Sequence, residues 1–490
     1  MLLLLSACLL DSPESNLETR VFEASPRSID ALAVLPAGTP LSDATDQTER
    51  FRTWTRQEDQ RDTFPRGYAS GQPPPRSAQV PGRFEVRMRS PSPLPTPVVH
   101  EQIVLTSGGF HGEQVYAYAH RGGEPLWGLN LSDDGPSTAA CEGGLCVFNT
   151  ESCTVFVVDI HTGEQRWSWY LGDPQLSAPT VSKGVVYTSY PVWGNSDATH
   201  VIGAFDLQTG DPIWQTWLDA DVMSAPVVTD GGLFLSTFAG TVVSLDPKTG
   251  HIRGAYAANA TSAPVVLGDA VWFSRRVQRG GEVFEVLAGA GALGVEQQLA
   301  AKPAPWLDGR VQRSSSMGAQ GAELDMGNGF GFGGPQAIGG AQQVVGQANV
   351  STLQAYQGSR PLPSGGLQIS TMGDEVIAVD ITTGATRWTH ALEGDLRRSG
   401  GALGTAPISA GDSVLVGTLE GEILVLNPID GRVRKTYTIG HPIRSQPVVQ
   451  DGWIYVGTAD GCLIGLDTGD ASLTGWTHWG RDAARTGVAG

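Results

Sequence analysis

A phrase that returns every ~40 residues constrains this chain more than any other feature of its sequence. Ser-Ala-Pro followed by two apolar residues stands at Ser177-Ala178-Pro179, Ser224-Ala225-Pro226 and Ser262-Ala263-Pro264. Variants occur at Pro95-Thr96-Pro97, Thr405-Ala406-Pro407 and Ser445-Gln446-Pro447. A second phrase, Asp-x-x-Thr-Gly, begins at Asp159, Asp206, Asp246 and Asp380. Four residues past its glycine stand Trp167, Trp214 and Trp388, and Trp127 keeps that offset from Gly123 in a worn copy.

Between the two phrases each unit reads as strand, turn, strand. Val185-Val186-Tyr187, Leu233-Phe234-Leu235 and Val414-Leu415-Val416 form one set; Thr241–Leu245 and Glu422–Leu426 belong to the next. Short apolar runs bounded by Gly and Asp, with no 3.6-residue period, predict antiparallel meanders. A leading strand, two inner strands and one carrying the Trp make four per repeat. Four-stranded repeats at this period predict a β-propeller, whose radial packing leaves only short edges. Blade starts fall near residues 96, 137, 177, 224, 262, 364, 405 and 445. The fold class is therefore all-β, an eight-bladed propeller of four-stranded antiparallel blades over residues 81–490. Closure is assigned to residues 84–89, where Phe84-Glu85-Val86-Arg87-Met88-Arg89 alternates apolar and charged side chains and would add an outer strand to the last blade.

Two segments lie outside this scheme. Residues 9–80 are rich in Pro, Ser and charge and cannot bury enough apolar surface to offset ordering entropy; they read as a flexible tether, mostly disordered. At ~70 residues such a tether spans roughly 45–50 Å root-mean-square. Residues 307–360 are a Gly-rich insertion after the fifth blade, either disordered or laid over one face.

The net charge of −18 offers no basic field for nucleic acid or anionic lipid, so neither is expected as a partner. Among the five cysteines, Cys8 follows Leu5-Ser6-Ala7 and the apolar run from Leu2, a lipobox-like start that would lipidate Cys8 and make residues 1–8 a signal segment. The apolar run is short, and no Lys or Arg precedes it. Cys141 and Cys146 flank Glu142-Gly143-Gly144-Leu145, and a two-residue Gly-Gly turn would bring the two cysteines opposite one another. A disulfide there would agree with an oxidising compartment. Cysteine spacing and scattered histidines supply no metal signature, so no metal site is expected.

The two phrases together resemble the pyrroloquinoline-quinone-like repeat propellers, and the resemblance covers residues ~95–490. The tail Trp476-Thr477-His478-Trp479-Gly480-Arg481-Asp482 is similar to a Trp-x-x-x-Gly-Arg-Asp signature of that group. The resemblance implies that Trp127, Trp167, Trp214 and Trp388 pack between neighbouring blades, and that the Asp and Thr-Gly shape the turn before the outer strand. It also implies one of two functional types. Quinoprotein dehydrogenases hold cofactor and calcium in the central funnel, under an adjacent cysteine pair that this sequence lacks. Binding propellers of the BamB type, lipoproteins of the outer-membrane β-barrel assembly machinery, hold no cofactor. The lipobox-like start, tether and compact ring look more like the second type. The expectation is a monomeric, non-catalytic scaffold without cofactor, facing the periplasm as an outer-membrane lipoprotein and binding protein partners of the cell envelope. It would touch the membrane only through its lipid anchor. The alternatives are a quinoprotein oxidoreductase and a ligand-binding surface propeller.

Two catalytic-looking features reduce to structure. Gly289-Ala290-Gly291-Ala292-Leu293-Gly294 matches a dinucleotide fingerprint with Asp308 near the ribose-binding offset. Register against Val376-Ile377-Ala378-Val379 reads it instead as a decayed Asp-x-x-Thr-Gly turn. The repeated Asp159, Asp206, Asp246, Asp380 and Asp467 lie at symmetric places around a ring. They cannot converge as a calcium site must, so turn stabilisation is their expected role. Trp193, Trp306 and Trp453 remain as candidates to line a face of the ring. No catalytic residue is assigned.

Overall fold

A strand covered on both faces needs no alternation of apolar and polar residues, and the inner strands of this chain are of that kind. The computed structural model describes residues 69–303 and 360–488, apart from 132, 152–153, 172–176, 192–199, 219, 239, 259, 269, 280–281, 292–295 and 400–401. The described residues form strands β1–β34 and one helical turn, α1 (Leu396–Ser399). Eight antiparallel sheets follow one another around a ring. The second strand of the second sheet, β9 (Leu145–Asn149), is buried at every residue, whereas the outermost strand of the seventh, β31 (Val433–Thr438), is mostly exposed. Sheets stacked face to face around an axis bury their middle strands and leave the last one wet.

The first strands are β4 (Val98–His100), β8 (Ala140–Glu142), β12 (Thr180–Ser182), β16 (Val227–Thr229), β20 (Val265–Leu267), β24 (Leu362–Ser364), β28 (Ile408–Ala410) and β32 (Val448–Gln450). Seven begin two or three residues after a predicted blade start, and the sixth, β24, begins two residues before the expected 364. First strands of adjacent blades touch at five of the junctions, β32 with β4, β4 with β8, β8 with β12, β12 with β16 and β24 with β28, as strands nearest a common axis do. Blades 2 to 7 have four strands.

Blades 1 and 8 have five, because the chain N-terminal to the first blade is drawn into the ring. Strand β3 (Arg83–Arg87) pairs antiparallel with β34 (Cys462–Asp467) of the last blade, the closure expected for residues 84–89. β2 (Ala78–Val80) pairs onto β3, and β1 (Ser70–Gly71) adds to the outer edge of blade 1. Residues 69–80, expected within the tether, therefore belong to the ring: their backbone groups cap outer edges that would otherwise be open. The rest of the tether, Cys8, and residues 307–359 of the insertion lie outside the described residues.

One further expectation is corrected. Residues Glu282–Gly291 form a ten-residue strand of blade 5, so Gly289 and Gly291 sit in a strand rather than in a worn turn. Gly289 lies opposite Trp272, and a Cβ there would collide with its ring. That explains the glycine sterically; the antiparallel pairing on both sides leaves no dinucleotide unit.

Candidate functional site

The side chains that hold neighbouring blades together come from the second phrase. In each copy the Asp carboxylate accepts two backbone N–H groups, as Asp206 Oδ1 does from Gln208 (2.8 Å) and Thr209 (2.9 Å). Asp159, Asp246 and Asp380 repeat the pattern. This is an Asx turn, in which a short side chain satisfies the backbone locally. The outer oxygens of Asp246 and Asp380 each meet an arginine seven residues on, Arg253 and Arg387, at 2.7 Å. Those guanidinium contacts, with the backbone donors, hold both carboxyls below their ordinary range.

Just past each turn the pairing of third and fourth strands slips by one residue, and the Trp stands opposite the last residue before the slip. A bulge re-aims a side chain. The Trp indole N–H reaches the next blade and donates to a turn carbonyl: Trp127 to Ile160 (2.7 Å), Trp167 to Leu207 (2.9 Å), Trp214 to Pro247 (3.0 Å) and Trp388 to Pro428 (2.9 Å). Each ring lies over a glycine of that turn, Gly163, Gly210, Gly250 or Gly431, where a Cβ would collide with the indole. At the closing seam Phe84 of β3 plays this part, against Gly123. It also stacks on Trp453 at 6.1 Å, which places that tryptophan in the seam. Trp193 and Trp306 lie outside the described residues.

Cys141 and Cys146 face each other across the Gly143-Gly144 turn, both glycines at positive φ, and are joined by a 2.04 Å S–S bond. This hairpin of blade 2 borders the feature that sequence reasoning missed. The segment after β34 turns into the mouth of the central channel and lies along its wall. The middle residue of a first strand has its N–H on the strand's free edge, facing the axis. At blade 8 Val449 N–H donates to Trp476 O (2.6 Å), and at blade 1 Val99 donates to Thr477 O (2.8 Å). At blade 2 Cys141 donates to His478 Nε2 (3.2 Å). Blades 3 and 4 follow, with Val181 donating to Ala483 O and Val228 to Ala484 O, both at 2.9 Å. Blade 6 places Pro363 at the same point, which has no N–H to satisfy. Five buried edges are thus paired by one tail, which answers the requirement that buried backbone donors find partners.

The tail's side chains fill the mouth. Trp479, 1% exposed, packs against Ala178, Ala225 and Ala263, the alanines of the first phrase in three successive blades. In blades 8 and 6, where Gln446 and Arg360 replace that alanine, the substitute holds the tail. Gln446 Oε1 accepts from Trp476 Nε1 (3.2 Å) and Gly480 N (2.9 Å). Arg360 donates to Pro264 O (3.2 Å) and to Arg485 O. Arg485 is fully buried and donates to the carbonyls of Trp479 (2.9 Å), Ala139 (2.8 Å) and Pro179 (3.1 Å). Both guanidiniums lie over the Trp479 ring, at 4.9 and 5.5 Å from its centroid. Burial pushes them down, to about 10 for Arg360 and about 9 for Arg485, so each stays charged at neutral pH. Burial, then the Arg485 charge and then His100, holds His478 well below its usual range. Its Nε2 accepts from Cys141 N–H and so carries no proton, leaving the neutral Nδ1–H tautomer beside Thr477 Oγ1 at 2.8 Å.

A quinone cofactor with calcium, one implication of the repeat family, would need open space and converging oxygen ligands in the funnel. The residues at this mouth do not fit that need. Tail side chains occupy it, and the oxygens of Asp482, the carboxylate acting on both arginines, are taken by Thr486 N (3.1 Å) and Oγ1 (2.6 Å).

The family described as outer membrane protein assembly factor BamB matches residues 111–310 and 372–488, and the chain belongs to that family. No curated protein matches the chain by sequence. Among solved structures, BamB from Moraxella catarrhalis superposes with a TM-score of 0.50 at 17% identity, over 80% of this chain and 97% of that one. Sqt1 from Saccharomyces cerevisiae gives 0.51 at 12% identity, over 78% and 97%. Quinohemoprotein alcohol dehydrogenase ADHIIG from Pseudomonas putida HK5 gives 0.49 at 14% identity, over 80% and 76%. At these identities the likeness to BamB and Sqt1 is one of fold.

Proposed function

From membership in the BamB family, we propose that this chain is a non-catalytic scaffold propeller of the bacterial cell envelope, serving as an outer membrane protein assembly factor. The observation that carries the reading is the filled axis. In a propeller the funnel is the natural place for a small-molecule site, and here Trp479, Arg360, Arg485 and His478 take it up for structure. With the axis filled, partner binding falls to the loops of the two faces. The Cys141–Cys146 disulfide supports an oxidising compartment such as the periplasm. The lipobox-like Leu5-Ser6-Ala7-Cys8 supports anchoring of a monomer through a lipidated Cys8, with the segment after it as tether. We further propose that residues 307–359 of the Gly-rich insertion are dispensable for the ring and belong to one face, whereas its last residue, Arg360, is part of the filled axis.

The test is capture of the full chain from its own envelope. A β-barrel assembly component retained by the wild type, and lost on mutation of face loops that leave the fold intact, supports the reading. Quinone-dependent dye reduction by the purified protein would overturn it. Cys8→Ala is expected to move the protein from the membrane to the soluble envelope fraction, read by fractionation; unchanged partition would remove the anchor from the proposal.

A further inference from the structure

Three side chains distant in sequence meet where the ring closes. Glu85 stands on β3, Cys462 on β34, and His441 in the connection from blade 7 to blade 8. In the β3–β34 ladder Cys462 lies opposite Arg87 and Ile464 opposite Glu85, so Glu85 and Cys462 are diagonal neighbours on one face. One ligand atom from each of Glu85, His441 and Cys462 lies within 4.8 Å of the others. His441 Nε2 is 3.5 Å from Glu85 Oε1. A tetrahedral ion with bonds of ~2.0–2.1 Å to nitrogen and oxygen sets those donors about 3.3 Å apart, so little movement is needed.

The surroundings orient the ligands. His441 Nδ1 is 2.7 Å from Asp460 Oδ2, and Asp460 Oδ1 accepts from Thr458 Oγ1 (2.6 Å). A carboxylate on one ring nitrogen fixes the tautomer and aims the other nitrogen, as outer-shell carboxylates do for metal-bound imidazoles. Cys462 forms a fully buried floor, while the His441 and Glu85 side chains are 18% and 28% exposed. An ion therefore has an entry path from solvent. Cys462 also packs into the hydrophobic core around the closing seam, and its thiol is the one donor of the three that this core buries fully.

We propose that Glu85, His441 and Cys462 bind one divalent transition-metal ion of borderline softness, with Zn2+ as the fitting species, as a clasp on the ring-closing seam. The donor set decides the class. Thiolate plus imidazole selects Zn2+-like ions over Ca2+ and Mg2+, which take oxygen alone. Binding releases the thiol proton to solvent, so affinity rises with pH. The ion ties the N-terminal closing strand to the last blade and to the blade 7–8 connection. The site is independent of the scaffold reading.

The test uses the full chain stripped by chelator. Titration with Zn2+ is expected to saturate at one equivalent and raise the melting temperature, and Co2+ is expected to give thiolate-to-cobalt charge-transfer absorption. His441→Ala and Cys462→Ser should each abolish that absorption, whereas Cys8→Ser and Cys153→Ser should keep it. Asp460→Asn should weaken affinity by about 10–100-fold with the fold intact by circular dichroism. In the wild type, Zn2+ should slow alkylation of Cys462, a readout that needs no substitution. Absorption that survives Cys462→Ser, or no saturable binding and no protection of Cys462, overturns the proposal.

Discussion

At Gly250 a methyl group would collide with the Trp214 indole, and the backbone there has φ of +70°. At Gly365 φ is +54°, but a Cβ would meet nothing within 4 Å. Alanine at both positions separates packing from backbone strain. Gly365→Ala should cost about 1–2 kcal/mol from the left-handed conformation alone. Gly250→Ala should cost about 2–5 kcal/mol, because overpacking adds ~1–3 kcal/mol. Urea denaturation at unchanged slope checks the difference. The Asp residues of the same turns respond to acid. The carboxyls of Asp246 and Asp380 are held below the ordinary 3.8. The stability they supply is therefore present above about pH 4 and is lost as pH falls through their lowered values. The double variant Asp246→Asn, Asp380→Asn should lower stability at pH 7 and flatten the decline below pH 4, read from unfolding midpoints across that range. The Asp turns were legible in sequence because an Asx turn is local, spanning a few residues; that each Trp packs on the next blade was expected only from the resemblance to the repeat family. Gly289 was misread because its reason, Trp272 on the adjacent strand, depends on register that no short phrase encodes.

At the scale of elements, the tail is the part that sequence described and did not explain. Its Trp and Gly-Arg-Asp letters stood out, yet a run with no strand period gives no sign that it will pair with five separate blades. The retrospective signal lies in the first phrase, where Gln446 and Arg360 replace the alanine that elsewhere makes room for Trp479. His478 provides a test of how tightly the tail is seated. Its folded value lies well below the ordinary 6.5. The unfolded chain therefore binds the proton first, and stability is lost as pH falls below about 6.5. One such group gives a slope of at most about 1.4 kcal/mol per pH unit. His478→Gln, which keeps an acceptor for Cys141 N–H, should make the change in urea midpoint between pH 7.5 and 5.5 shallower than in wild type. Arg485→Ala strands the carbonyls of Trp479, Ala139 and Pro179 in the channel. It should cost more than ~3 kcal/mol, since hydrogen bonds to charged groups are worth ~1.5–3 kcal/mol each.

For the whole molecule the decisive element is closure. Strand β3 turns the last blade's outer edge into an interior one and carries Phe84 into the slot between Gly465 and Gly123. A chain lacking residues 69–89 should keep strand content by circular dichroism but lose cooperativity and self-associate, seen by light scattering, because β34 then presents an unpaired edge. A deletion that stays monomeric with an unchanged melt would mean the ring is held without it. The repeat period, the turn chemistry and the alternation at residues 84–89 settled blade number and closure from sequence, because each blade is built from contacts between residues close along the chain and copied eight times. What the axis contains, and what meets at the seam, only the tertiary structure decided. Arg360 and Arg485 lie 125 residues apart, and Glu85 and Cys462 come from opposite ends of the ring. Such contacts belong to no repeat. They exist only once eight similar units have been wrapped into a circle and its two ends brought together.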